Sequence, residues 1–334
     1  MSLILFMILI FTEAFQSTGL GHFSRCSALA EILHEANYEI AMILHTNNMR
    51  LISSPLFPIR NLDWKQSMSL AEIFAGQKVF ASFVDSYSAP PEIYEEIRLN
   101  SDRLICIDDA NRILYPLGSY ILNPGFGGAL IGYDSQRYTI FTGGEYALVR
   151  KPFRESFEIP SIRGKIESVL ISVGGNDHLN VIPMIVALLE KEHPSWRKNI
   201  IVTSAFQNLG IIEALSNDNV VLYRDLSAMQ MREIMLDTDV AITAGGQTIY
   251  ELAHCGVPMI LLETAENQHG NIIGLAQRGA AINVGKVQDS GFLEKLSRAL
   301  ATIISRIARS TYRHQLFTTK KEFNQNKWIL GILT

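Results

Sequence analysis

Short apolar runs that end in polar residues recur along most of the 334-residue chain, separated by stretches with apolar positions at helical spacing. In the first half the runs lie at 39–46, 80–87 and 103–110, with helical patterns at 24–36 and 91–99. In the second half they lie at 167–175, 199–205, 219–225, 240–246 and 258–264. Helical patterns there cover 179–192, 227–236, 247–255, 267–278 and 291–309. Runs of this length read as strands, and strand–helix alternation predicts parallel sheets covered by helices on both faces. The fold class is therefore α/β, with two Rossmann-type doubly wound domains. Residues 151–166 hold two prolines and mixed charge and read as the linker. The predicted domains are then 1–150 and 167–310, followed by a tail at 311–334.

The opening run, "MSLILFMILIFTEAF", has no Lys or Arg before its apolar residues and no small-residue cleavage site after them. It is too short to span a bilayer. A glycine turn and a helix follow at once, which fits a parallel strand buried on both faces. Stable membrane insertion is not expected.

Composition narrows the functions. The chain is 48% hydrophobic and 19% charged, as a well-packed globular protein is. A net charge of -4 with no basic run argues against nucleic acid as a partner. Cys26, Cys106 and Cys255 lie far apart without CxxC spacing, so neither a zinc site nor a disulfide framework is indicated. The expectations are a cytoplasmic protein with no metal and no cofactor.

Candidate chemistry collects at strand ends, where parallel folds bind ligands. In "STGLGHFSRCSALAEIL" (17–33), Gly19 and Gly21 permit a tight turn and close backbone approach. His22 stands at the mouth of the following helix, with Arg25 and Cys26 just beyond. A neutral imidazole there is a general base, and a solvated histidine beside a turn fits the spacing equally well. "SVGGND" (172–177) and "TAGGQT" (243–248) each join a strand to a helix through paired glycines. Gly174, Gly175 and Asn176, with Gly245 and Gly246, read as a cradle for one diphosphate between two helix starts. Thr248 adds a hydroxyl, and Glu251 an acceptor for ribose hydroxyls. Neither loop has the Walker or GxGxxG pattern. Asp85, Asp108 and Asp109 offer carboxylates for acid–base work, for sugar hydroxyls or for turns, and Tyr87 a phenol at the same strand end as Asp85. Glu266, Asn267 and Gln268 offer sugar contacts or a helix cap.

These motifs, together with "GGEYALVRKPF" (143–153), resemble in order and spacing the PseG family of UDP-2,4-diacetamido-2,4,6-trideoxy-β-L-altropyranose hydrolases and related spore-coat polysaccharide proteins. The resemblance runs from about residue 7 to residue 285. Its C-terminal block is shared with lipid II-forming N-acetylglucosaminyltransferases. Glu13 stands where the family usually has aspartate.

The resemblance implies a GT-B-like architecture with a UDP-sugar in the cleft between two domains. The second domain would hold UDP, and the first would present the sugar to His22 as the base that activates water. Gly19, Gly21, Arg25, Asp85, Tyr87, Asp109, Asn267 and Gln268 would line the sugar. The tail would return to the first domain as a helix. The implied reaction is hydrolysis of a UDP-sugar with inversion. A glycosyltransferase is the second reading, and a non-catalytic nucleotide-sugar-binding protein the third. Transfer needs an acceptor surface, which Leu56, Phe57 and Trp64 around Arg60 would offer unless that segment is a substrate lid.

Overall fold

A computed structural model describes residues 7–15, 20–48, 54–204, 206–320 and 327–333. The chain divides into two compact units. The first runs to Lys151 and takes in the C-terminal helix; the second begins at Pro152.

The first unit holds a seven-stranded parallel sheet: β1 (Met7–Ala14), β2 (Glu39–Thr46), β3 (Ile59–Asn61), β4 (Val79–Asp85), β5 (Ser101–Ile107), β6 (Tyr120–Asn123) and β7 (Thr139–Thr142). Its helices are α1 (Gly21–Glu35), α2 (Ser67–Phe74) and α3 (Pro91–Leu99), and α4 (Lys151–Arg154) carries the chain into the second unit. The strand order is β3-β2-β1-β4-β5-β6-β7. Alternate residues of β1 feed two cores, because side chains on a strand point to opposite faces. Ile8 and Ile10 pack with Leu29 and Leu33 of α1 and with Ile329 and Ile332 of the C-terminal helix, Lys327–Leu333. Leu9 and Phe11 pack with Trp64, with Leu70 of α2 and with Ile93 and Ile97 of α3. Burial on both faces explains why this strand is apolar without alternation.

Trp64 corrects the expected acceptor surface. It is fully buried, its ring centroid lies 5.5 Å from that of Phe11 in an edge-to-face arrangement, and its Nε1 donates to the Thr12 carbonyl at 2.8 Å. Phe57 is buried too, in the core that α1 covers, and Arg60 pairs with Glu72. Of the three apolar residues only Leu56 is exposed, so they present no shared apolar surface.

The second unit repeats the plan with six parallel strands: β8 (Ser168–Ser172), β9 (Arg197–Val202), β10 (Val220–Arg224), β11 (Val240–Ala244), β12 (Met259–Glu263) and β13 (Ala281–Lys286). Its helices are α5 (Val181–Glu192), α6 (Leu209–Glu213), α7 (Ala228–Leu236), α8 (Thr248–His254), α9 (His269–Gln277), α10 (Phe292–Ile303) and α11 (Arg306–Lys320). Val169 and Ile171 pack with Ile182, Ile185 and Leu189 of α5 and with Leu296 and Leu300 of α10. The single helix expected at 291–309 is two helices, and β13 was not foreseen because Asn283 and Gly285 interrupt its apolar pattern.

The strand order here is β10-β9-β8-β11-β12-β13. Each sheet therefore reverses its winding once, between β1 and β4 and between β8 and β11. Crevices at the carboxyl ends of such strands are where doubly wound folds take ligands. Among the described residues no helix is long and apolar enough to cross a membrane.

Candidate functional site

The β1–β4 reversal carries a tight polar cluster. Asp85 ends β4, and α1 lays His22, Arg25 and Cys26 against it. His22 Nδ1 lies 2.6 Å from Asp85 Oδ1. Arg25 donates to the same carboxylate through Nε at 2.5 Å and Nη2 at 2.7 Å. The Cys26 thiol faces Oδ2 at 3.6 Å. His22 and Arg25 stand three residues apart, one turn of helix, which puts both on one face.

Asp85 is completely buried. Burial raises a carboxyl pKa, yet Arg25 and His22 outweigh it and hold Asp85 well below the ordinary range. Arg25 is buried as well. Burial alone would lower its pKa, but Asp109 and Asp85 hold it well above the ordinary value. Burial beside Asp85 pushes the Cys26 thiol up and keeps it protonated. An ionised carboxylate accepts only, so the proton of the His22–Asp85 bond sits on Nδ1. Arg25 Nη2 also lies 3.4 Å from Nδ1, but it donates to Asp85 at much shorter range. In the neutral ring Nε2 is then the acceptor, and it makes no hydrogen bond among the described residues.

Arg25 reaches a second carboxylate. Its Nη1 donates to both oxygens of Asp109 at 2.8 Å. Tyr87 closes the circle: its hydroxyl donates to Asp109 Oδ2 at 2.7 Å, and its ring meets the His22 ring edge-on at 4.2 Å. Asp108 does something else. It accepts from the backbone of Asn111 at 2.6 Å and from the Tyr133 hydroxyl at 2.8 Å, shaping the turn after β5. The adjacent aspartates are thus not an acid–base pair. Arg25 and Asp85 bond to each other, and Arg25 also to Asp109 and Asp85 also to His22.

Gly21 also departs from expectation. It is the first residue of α1, its φ is not positive, and a side chain there would meet nothing within 4 Å. Gly19 lies outside the described residues.

Glu13 was read only as a departure from a pattern. The structure makes it part of the cluster's frame. Its Oε2 accepts from Lys65 Nζ and Ser88 Oγ, both at 2.6 Å, and its Oε1 from the Tyr87 N–H at 3.2 Å. Burial acts to raise its pKa, and Lys65 and Ser88 together lower it below the ordinary value. A lone carboxylate near the end of an otherwise apolar run was the available signal.

In the second unit the two glycine loops flank the β8–β11 reversal. They are not equivalent. Asp177 accepts from the Val181 N–H at 2.7 Å and the Ile182 N–H at 3.0 Å, so the start of α5 already holds a carboxylate. The amides of Val181 and Ile182 are therefore already occupied. Gly174 takes a positive φ of 96°, and Thr203 donates to the Gly175 carbonyl at 2.9 Å. Asn176 accepts from the Gln207 N–H at 3.4 Å.

The start of α8 has no side-chain cap. Gly245 is required by packing, because a Cβ there would lie 2.5 Å from Ile272 Cγ1. At Gly246 a Cβ would meet nothing within 4 Å. Asn271 staples this loop, donating to the Gly245 carbonyl at 3.0 Å and accepting from the Tyr250 hydroxyl at 2.8 Å. Thr248 opens α8 and Glu251 is buried on it. Asn267 is exposed after β12. Gln268 folds back on Thr264, accepting its N–H at 2.9 Å, so that carboxamide is a local cap.

No protein-family model matches the chain. It is 22% identical over 313 residues to the Bacillus subtilis spore coat polysaccharide biosynthesis protein SpsG, covering 90% of each chain. It is 27% identical over 267 residues to the Helicobacter pylori pseudaminic acid cytidylyltransferase and UDP-2,4-diacetamido-2,4,6-trideoxy-β-L-altropyranose hydrolase, covering 78% of this chain and 44% of that protein. Its fold matches the crystal structure of the glycotransferase of kitacinnamycin with a TM-score of 0.66 and 15% identity, over 98% of this chain and 99% of that one. The chain is similar to SpsG and to the pseudaminic acid protein, and its two parallel-sheet α/β units share the fold of GT-B glycosyltransferases.

Proposed function

We propose that the protein is a nucleotide-sugar enzyme of surface-polysaccharide or pseudaminic acid biosynthesis, and specifically a UDP-sugar hydrolase that releases UDP and a 2,4-diacetamido-trideoxyhexose-like sugar with inversion. The observation that carries the reading is the His22 Nδ1–Asp85 contact of 2.6 Å, which makes Nε2 the proton acceptor. Water attacks the anomeric carbon as Nε2 takes its proton, and the bond from that carbon to the diphosphate oxygen breaks. The electron pair leaves with UDP, and the oxygen from water becomes the sugar hydroxyl. A diphosphate is a weak base and departs without a proton donor, so one base suffices. Asp85 holds the imidazole tautomer and faces the imidazolium as it forms, while Arg25 keeps Asp85 ionised.

Tyr87, Asp109 and Asn267 are assigned to the sugar, and the open space at Gly21 to the approach of its substituents. UDP is assigned to the β8–β11 reversal, with the phosphates at Gly246 and the uncapped start of α8, Thr248 beside them and Glu251 towards the ribose. Gly174, Gly175 and Asn176 form the other wall. The fold favours a second reading, a UDP-sugar-dependent glycosyltransferase, because the structural match is to such an enzyme. Three buried free thiols fit the reducing cytoplasm as its compartment.

The test is UDP release from a panel of UDP-sugars, including the diacetamido-trideoxy-altrose derivative, with no acceptor present. Release in water alone supports the hydrolase. Release that requires an added glycan or lipid acceptor supports the transferase.

A further inference from the structure

Tyr87 is the residue that joins the two sides of the cluster, and its position is fixed from outside that cluster. Its ring abuts His22, its hydroxyl is tied to Asp109, and its backbone N–H donates to Glu13 at 3.2 Å. Glu13 is fully buried and lies just past the residue of β1 that pairs with Asp85 of β4. Its carboxylate gathers three groups that belong to different segments: Lys65 from the stretch before α2, Ser88 from the turn after β4, and the Tyr87 amide. Lys65 also donates to Ser88 Oγ at 2.8 Å, closing a three-membered ring of contacts. The Ser86 hydroxyl accepts from the backbone of Ser88 at 3.1 Å and Ala89 at 3.0 Å, so the turn itself has little freedom.

We propose that Glu13 is a positioning residue for the reaction: through the Tyr87 amide, Ser88 and Lys65 it sets where the Tyr87 ring stands, and that ring fixes the attitude of the His22 imidazole. A buried carboxylate accepting three hydrogen bonds is an expensive way to shape a turn. A neutral side chain would spare the desolvation. What the charge adds is a stiff tie across the reversal point, one residue from the group that touches His22. The functional part of this inference rests on His22 being the base; the geometric part does not.

The experiment reads the histidine directly. Ring-proton signals are recorded from the full chain with carbon-labelled histidine, and His22→Asn assigns the His22 resonance among the eight histidines. Tyr87→Leu gives the shift expected when the aromatic neighbour is gone. Glu13→Gln is expected to move the His22 signal from its wild-type position towards the Tyr87→Leu value, and to lower kcat by up to about 10²-fold with KM little changed. An unmoved His22 signal overturns the positioning role whatever the activity does. A moved signal with full turnover in His22→Asn overturns the reading of His22 as base and leaves the geometric tie in place. If Glu13→Gln does not fold, Ser88→Ala removes one donor while keeping the carboxylate. A smaller shift in the same direction supports the proposal, and no shift overturns it.

Discussion

His22 Nδ1 and Asp85 Oδ1 stand 2.6 Å apart, joining the first turn of α1 to the end of β4 across 63 positions of sequence. The carboxylate is fully buried and ionised, so the relationship fixes a tautomer as well as a distance. Asp85→Asn replaces an obligate acceptor by a group that can also donate. Turnover should fall on the order of 10²–10⁴-fold, with UDP affinity nearly unchanged. Steady-state kinetics paired with UDP titration checks this; unchanged kcat would detach Asp85 from the chemistry.

The same aspartate should govern acid stability. Its folded-state pKa is depressed, as is that of Glu13, so both contribute stability above the unfolded-state values of about 3.9 and 4.3. As pH falls below about 4, the unfolded chain takes up protons that the folded carboxylates refuse, and stability is lost. Melting temperature against pH should drop steeply there in the wild type. In Asp85→Asn the drop should be shallower, starting from a lower plateau, because removing one partner of a buried pair costs about 3–5 kcal/mol. Parallel curves for the two proteins would contradict the assignment.

Much of this arrangement was legible and some was not. The strand ends and the two glycine loops follow from apolar runs closed by small and polar residues, and His22 follows from its motif. The partner of His22 does not. Asp85 lies 63 residues away, and only the parallel register that sets Thr12 beside Asp85 brings α1 and the end of β4 together. Sequence shows the Asp177 carboxylate near a helix start but not that it accepts from the Val181 and Ile182 amides. Trp64 was misread as surface because it sits in an irregular stretch, where no periodicity announces which side chains turn inward.

The two glycines of the "AGG" loop should behave oppositely. Gly245→Ala drives a methyl towards Ile272 and the Gln268 carbonyl, and should destabilise by about 1–3 kcal/mol. Gly246→Ala adds a methyl that meets nothing within 4 Å and should melt like wild type. If the phosphates occupy that space, it should nonetheless lose UDP affinity. Calorimetric titration with UDP decides the matter, and full affinity in Gly246→Ala would move the phosphates elsewhere.

Tyr87 and Asp109 should act as one unit. Tyr87→Phe keeps the ring against His22 but removes the hydroxyl that Asp109 accepts at 2.7 Å. Asp109→Asn weakens the bidentate grip of Arg25. Because the two share one network, their effects on kcat/KM should be less than additive in a double-mutant cycle, by about 0.5–3 kcal/mol. Strict additivity would mean that the tyrosine and the aspartate serve the reaction independently.

The central claim, that His22 delivers water to the anomeric carbon, is tested most directly by turnover in water labelled with heavy oxygen and containing no acceptor. The substrate is the UDP-linked diacetamido-trideoxy sugar, and wild type is compared with His22→Asn. The account predicts UDP release by the wild type, with the label in the freed sugar and none in UDP. It predicts that His22→Asn binds UDP normally but turns over on the order of 10²–10⁴-fold more slowly. Label in the diphosphate, or near wild-type turnover in His22→Asn, would contradict it.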